Sequence, residues 1–533
     1  MSRSDKFALA TFLVLLVFSA LMHLLLADNG DKGWLLLAAR MWLDGHRLYV
    51  DLVEVNPPLI LWLYGFVVWV SQHLPVFQDF EVLGFLGLLG SMLSVWLCTK
   101  LIRQHPEFMQ DRRRQVEFSL LLAFIFIFLT PQSYFFDREH ILLVMTFPYV
   151  LRFMPSLASQ RLTLSTSSAV GLLAAFGFCI KPHSAILFIA VQLLFILRER
   201  SFSVLWSLEN RIIAAAALGY FVCVWHFTPE YIFVILPMAL ETYSAFGRSG
   251  SSLLDLPPIL LCAGLTFADF RFRFTSPYRS DIYYFMAISG AFLLHTVVSN
   301  GWDYTYYPLM SMLLFLSGLV FLEYQWLART NEAQGLSYRQ FVFGQRGCIL
   351  SLATQGVYMA IVTFLAMEVI AIQIRCGHTP ECSIQNPYVR YVRDHHVHSF
   401  GTITLDYPKW VTLVHYSGAR WETRFNHLWM LPKLLQAAET TFADHEHIEQ
   451  YVAGALAEDL NSKKPDIVFV DTGRQFFAYP RHVDLPEFLS QVPEFKAAWA
   501  HYHYSTTIDE CSASGALFFR SGCKYDIFSR QIP

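Results

Sequence analysis

Ala27-Asp28-Asn29-Gly30-Asp31-Lys32-Gly33-Trp34, which follows the first apolar run, opens a polar segment. It continues through Ala39-Arg40-Met41, Asp44-Gly45-His46, Tyr49, Asp51 and Glu54 to Asn56-Pro57-Pro58. Five carboxylates therefore crowd a short stretch with hydrophobic flanks. Acids held at a bilayer surface are costly unless partners neutralise them or they take part in chemistry. The flanks set the class: 55% of the 533 residues are apolar and 16% are aromatic, and the mean hydropathy is +0.40. That composition belongs to a polytopic membrane protein. A formal charge of -3 supplies no basic field, which excludes nucleic acid as a partner.

Residues 7–27 are about one bilayer thick and end in acids, not in a small-residue cleavage site, so a retained helix is expected. Arg3 and Lys6 before it place the N-terminus in the cytoplasm and the acidic segment outside. The next cytoplasmic marker is the basic cluster Lys100, Arg103, Arg112, Arg113 and Arg114. A single crossing, 82–101, reaches it, so the short stretch 59–70 behind Pro57-Pro58 is expected to lie in the interface. Further crossings are predicted over 118–130, 141–153, 170–180, 185–197, 212–227, 253–267, 282–298, 309–327 and 348–374, about eleven in all. A long outer loop is expected after Phe227, running through Glu230, Glu241, Tyr243 and Arg248.

The odd count puts everything after Arg375 outside. The expected division is a membrane domain over 1–374 and a soluble α/β domain over 375–533. Strands are predicted at 401–405 and 467–470 and helices at 429–440 and 445–461. Cys98, Cys179, Cys223, Cys262 and Cys348 lie in or beside apolar spans and act there as small hydrophobes. Cys376, Cys382, Cys511 and Cys523 fall in the outer domain, where disulfides persist, with connectivity open.

The outer loops carry acids (Asp28, Asp31, Asp137, Glu139, Asp303) and cations (Lys32, Arg138, His140, Lys181, His183, Arg248). Both signs beside hydrocarbon suit a substrate with a charged head and a greasy tail, such as a lipid-linked phosphosugar. Cations would hold the phosphate as charge develops on it, and a carboxylate would take the proton of an attacking hydroxyl. The bland alternatives are a helix cap for Asp31, a snorkelling lysine for Lys181 and an aromatic belt for Trp302, Tyr304, Tyr306 and Tyr307. Gly84, Gly87 and Gly90 are expected to mark close helix packing. No Gly-x-x-x-x-Gly-Lys-Ser/Thr segment occurs, so nucleotide hydrolysis has no support.

Asp31 nine positions before Arg40, Ala39-Arg40-Met41, Asp44-Gly45 and Asn56-Pro57-Pro58-Leu59 together resemble the first outer loop of the GT-C glycosyltransferases that use polyprenyl-phosphate sugars. That group includes the aminoarabinose transferases of lipid A, the protein O-mannosyltransferases and the arabinofuranosyltransferases. Asp137 matches the family's second-loop acid, Lys181 its lysine after the fifth crossing, and Gly301-Trp302 with Tyr306-Tyr307-Pro308 its late aromatic loop. Asn56 stands where many relatives have Lys or His, and Lys32 where many have a second acid.

The resemblance implies an α-helical polytopic GT-C protein with a helical first periplasmic loop and a C-terminal soluble α/β domain, in a bacterial inner membrane. It implies an inverting transfer of sugar from polyprenyl phosphate to an acceptor hydroxyl on a protein such as pilin, a lipid or a glycan. Asp31 and Asp137 would be catalytic. Lys181, Arg138, His140 and His183 would hold the donor phosphate, and Asp28, Glu54, Arg248, Trp302, Tyr304 and Tyr307 would be accessory. The resemblance names no certain cofactor, and the need for a divalent cation stays open. The alternatives are a flippase of lipid-linked sugars and a polymerase or ligase of surface glycan.

Overall fold

The computed structural model describes residues 13–14, 16–22, 30–74, 76–105, 111–130, 134–158, 160–246, 279–299, 303–333, 386–405, 410–438, 446–472, 483–509 and 524–531, with a few isolated positions. The chain forms two compact units. One comprises Met1–Leu26, Phe77–Val222 and Arg248–Arg375; the other comprises Ala27–Val76, Cys223–Gly247 and Cys376–Pro533.

The first unit is helical. Among the described residues of the chain, four helices are long and apolar enough to cross a membrane: Asp79–Ile102, Leu208–Phe227, Ser280–Val298 and Tyr304–Leu322. Shorter helices, Arg112–Ala123, Arg138–Arg152, Leu164–Cys179 and Ala185–Glu199, lie between them in sequence. The expected crossings at 253–267 and 348–374, and most of 7–27, lie outside the described residues.

Arg138–Arg152 is the centre of this unit. Every residue from Arg138 to Leu151 is buried, as a helix must be when neighbours cover it all round. Aromatic side chains fill the space about it, with Phe147 edge-on to Phe126 and Phe315. Pro148 lies inside the helix and has no N–H to donate to the carbonyl of Val144. The Ser94 hydroxyl donates to that carbonyl instead, at 2.6 Å, so the helix continues unbroken toward its polar N-terminus. Gly87 and Gly90 of Asp79–Ile102 pack on the same region. A Cβ on Gly87 would stand 2.7 Å from the Phe135 ring and 2.9 Å from Phe136 Cβ, so only glycine allows this approach.

The second unit holds the first polar segment. Asp31–Leu43 and Pro58–His73 pack together, with Trp42 lying where a Cβ on Gly65 would be. Sixteen residues span about 24 Å, short of the roughly 30 Å hydrocarbon core. Pro58–His73 buries Ile60, Leu61, Tyr64, Val67 and Val68 and leaves Phe66 and Trp69 exposed. The stretch after Phe227, expected as a loop, is helical instead: a π-turn at Tyr231–Ile235 runs into Leu236–Thr242 and a 3-10 turn at Tyr243–Phe246.

A five-stranded sheet of order β2-β1-β3-β5-β4 completes this unit. β1 is Ser399–Ile403, β2 Arg420–Trp421, β3 Ile467–Asp471, β4 Tyr502–Asp509 and β5 Lys524–Arg530. β1 runs parallel to β2 and β3, while β5 is antiparallel to β3 and β4. β1 is buried throughout and β3 nearly so, and the apolar run from Ile467 to Val470 suits a strand covered on both faces. The polar segment joins this region through main-chain pairing: Val53 bridges Phe425 and its N–H donates to the Arg424 carbonyl at 2.8 Å. The Trp34 and Trp421 rings sit 5.1 Å apart.

Among the cysteines, Cys98, Cys179 and Cys223 are free thiols. Cys262, Cys348, Cys376, Cys382, Cys511 and Cys523 lie outside the described residues.

Candidate active site

The acids of the polar segment take different roles. Asp51 is a local brace. Partial burial pushes its carboxyl up, but the Arg47 backbone N–H at 2.8 Å and the Arg47 guanidinium outweigh burial and hold it below the usual carboxylate range. Glu54 is 2% exposed and accepts from the Trp34 indole at 2.5 Å, the Asn56 backbone N–H at 2.9 Å and the Asn56 amide at 2.5 Å. These bonds tie the two ends of the segment together. Asp44 is the C-cap of Asp31–Leu43.

Asp31 is the first residue of that helix, and the cap position belongs to Gly30 at φ 106°. Glycine adopts this left-handed backbone without strain. The capping alternative for Asp31 therefore fails, and a half-buried carboxylate stands in the first turn, where the helix dipole favours negative charge. Asp28, Arg248 and Trp302 lie outside the described residues.

In the helical unit the sequence Asp137-Arg138-Glu139-His140 starts the central helix, and all four side chains are buried. The chain reaches it through a strained turn, with Phe136 at φ 55°, a region costly for a bulky residue. His140 holds the turn. Its Nδ1 accepts the Phe136 N–H at 2.9 Å, so its Nε2 carries the proton and donates to the Phe126 carbonyl, also at 2.9 Å. That carbonyl lies in the π-turn Phe124–Phe128, and such turns displace carbonyls from regular pairing. Both ring nitrogens of His140 are thus bonded to backbone, which removes it from the set of phosphate ligands expected from sequence. His140→Ala is expected to destabilise the helical unit by about 1–3 kcal/mol for each buried partner lost. Unfolding of the detergent-solubilised protein measures this, and a variant as stable as the parent would show that the clamp is dispensable.

Distant segments converge on the same end of the helix. Lys181 follows Leu164–Cys179 and is 7% exposed. Its Nζ donates to Glu139 Oε1 at 2.5 Å and lies 5.1 Å from the centre of the Tyr304 ring. The Arg138 guanidinium lies 5.3 Å from that ring and bonds Asp137 Oδ1 at 3.2 Å. One tyrosine therefore carries two cations, each beside a carboxylate. An ammonium has three donors; Glu139 takes one, and the others meet no acceptor among the described residues. Lys181 is buried and paired, so the snorkelling alternative fails too.

Glu139 Oε2 bonds His295 Nε2 at 3.0 Å, and the His295 ring lies 4.7 Å from that of His183. Tyr307 is buried, with its hydroxyl 2.7 Å from Thr130 Oγ1 and its ring 5.7 Å from His140. Tyr306 and Tyr307 thus point into protein and do not form a lipid-facing belt.

Sequence reasoning counted Glu139 only among the acids of the outer loops, without a specific role, and missed His295 altogether. A signal for His295 existed: an ionisable residue inside an apolar run is by default a functional candidate.

No protein-family model matches this chain, and no curated protein matches it. Among solved structures it is similar to ArnT from Cupriavidus metallidurans bound to undecaprenyl phosphate. The TM-score is 0.55 and the sequence identity 14%, over 99% of this chain and 98% of that one. The similarity is of fold and runs along the whole length: the chain has the fold of that ArnT.

Proposed function

We propose that this protein is an inverting glycosyltransferase that moves a sugar from polyprenyl phosphate to an acceptor hydroxyl at the periplasmic face of a bacterial inner membrane. The observation that carries the reading is the pair of buried cations on Tyr304, at the head of apolar helices, in a chain with the fold of a protein solved with undecaprenyl phosphate. Lys181 and Arg138 grip the phosphate and stabilise the charge it gains as the bond to the sugar breaks. Asp31 takes the proton of the attacking hydroxyl. Phosphate leaves without protonation, so one base suffices. Asp137 orients Arg138, and His183 lies beside Lys181 on the donor side.

The remaining topology belongs to the same reading. It comprises about eleven crossings, a cytoplasmic N-terminus and a periplasmic α/β domain over 375–533 that carries disulfides and selects the acceptor, whether pilin, lipid or glycan.

The deciding experiment gives the purified protein in nanodiscs a labelled sugar on polyprenyl monophosphate or on diphosphate. Transfer from the monophosphate is expected. Transfer from diphosphate alone would make the protein a glycan polymerase or ligase. Movement of lipid-linked sugar across vesicles without a new glycosidic bond would make it a flippase.

A further inference from the structure

We infer that Glu139, His183 and His295 form a binding site for a divalent transition metal, with zinc the best chemical match. One ligand atom from each residue lies within 4.8 Å of the others. Two imidazoles and a carboxylate are a common set for zinc, which binds each at about 2.0–2.2 Å and leaves a fourth position open. Ligands around such an ion stand about 3.4 Å apart, so the 3.0 Å from His295 Nε2 to Glu139 Oε2 has to open slightly and the wider separations, up to 4.8 Å, have to close.

A second observation points to a missing partner. His183 Nε2 and His295 Nδ1 are buried, and neither has a hydrogen-bond partner. Buried imidazole nitrogens are normally satisfied. Here the unpartnered His183 Nε2 belongs to a ring 4.7 Å from that of His295 and tilted by 39° to it, and His295 meets Glu139 through its other nitrogen, Nε2.

Lys181 is compatible with the ion and shapes the site. It binds Oε1 only, which fixes the carboxylate and leaves Oε2 as a single-oxygen ligand. Its charge also opposes a cation, which favours an ion that binds imidazole strongly over Mg2+ or Ca2+, whose ligands are mainly oxygen.

The test measures metal and not transfer, so it stands apart from the choice of lipid donor. Full-length protein in detergent, with any affinity tag removed, is stripped with chelator, re-equilibrated with Zn2+, freed of excess and assayed by mass spectrometry for bound metal. Parallel loading with Co2+ reads the visible bands of a nitrogen- and oxygen-ligated ion. About one ion per chain is expected, with affinity roughly tenfold or more weaker in His183→Ala and His295→Ala. His183→Asn and His295→Asn, which keep a polar group of similar reach, supply the comparison if the alanine variants fail to fold. Metal no higher than background in the parent, or retained at parental affinity in folded variants of both histidines, overturns the site.

Discussion

Asp31→Asn is expected to lower sugar transfer by about 10²–10⁴-fold, the range that a positioned general base supplies, with melting left near the parental value. The separation of the two effects follows from where Asp31 stands. Gly30 occupies the cap position, so the amide removes no capping bond. The loss is only the favourable placement of a negative charge in the first helical turn, worth about 0.3–1 kcal/mol. Asp51→Asn is the matched control. Asp51 pairs with Arg47, whose side chain is 71% exposed, and exposed pairs contribute about 0–1 kcal/mol, so transfer should persist. Turnover of purified variants with the monophosphate donor, alongside thermal melts, reads both quantities. Full activity in Asp31→Asn would remove Asp31 from the chemistry.

The apolar runs were legible because a membrane span writes its length directly into composition, and Asp79–Ile102 and Leu208–Phe227 stand where hydropathy put them. The helix after Phe227 was legible as well but was overlooked. Tyr231, Ile235, Met238 and Thr242, all buried, recur at spacings of four, three and four, a helical stripe, and the flanking Glu230 and Glu241 drew attention to polarity instead. Other features have no local signature. Glu139 meets Lys181 across 42 residues and His295 across 156, and only packing around Arg138–Arg152 reveals those meetings. His140 misled for the same reason: its neighbours in sequence are charged, but its bonds go to the backbone of Phe136 and Phe126. Residue type suggested a ligand, and the turn it supports is what its geometry explains.

Glu139→Ala is expected to be the most damaging single change in the helical unit, costing about 3–5 kcal/mol, the usual penalty for breaking a buried ion pair from one side. The Lys181 side chain is 9% exposed and would lose its buried carboxylate partner, while His295 loses the acceptor of its Nε2. Glu139→Gln keeps an acceptor but no charge and should fall between the parent and alanine. The informative variant is the double change Glu139→Ala with Lys181→Met. Removing both charges relieves the desolvation penalty, so the double variant should recover much of the lost stability. It should nevertheless remain without transfer, because no ammonium is left to hold the leaving phosphate. Thermal melts and turnover of the two single variants and the double variant form one cycle. Recovery of stability without recovery of transfer identifies Lys181 as the working group and Glu139 as its charge partner. An alanine at 139 that melts like the parent would show that the pair is weak in the native protein, and a double variant with restored transfer would take Lys181 out of the donor site.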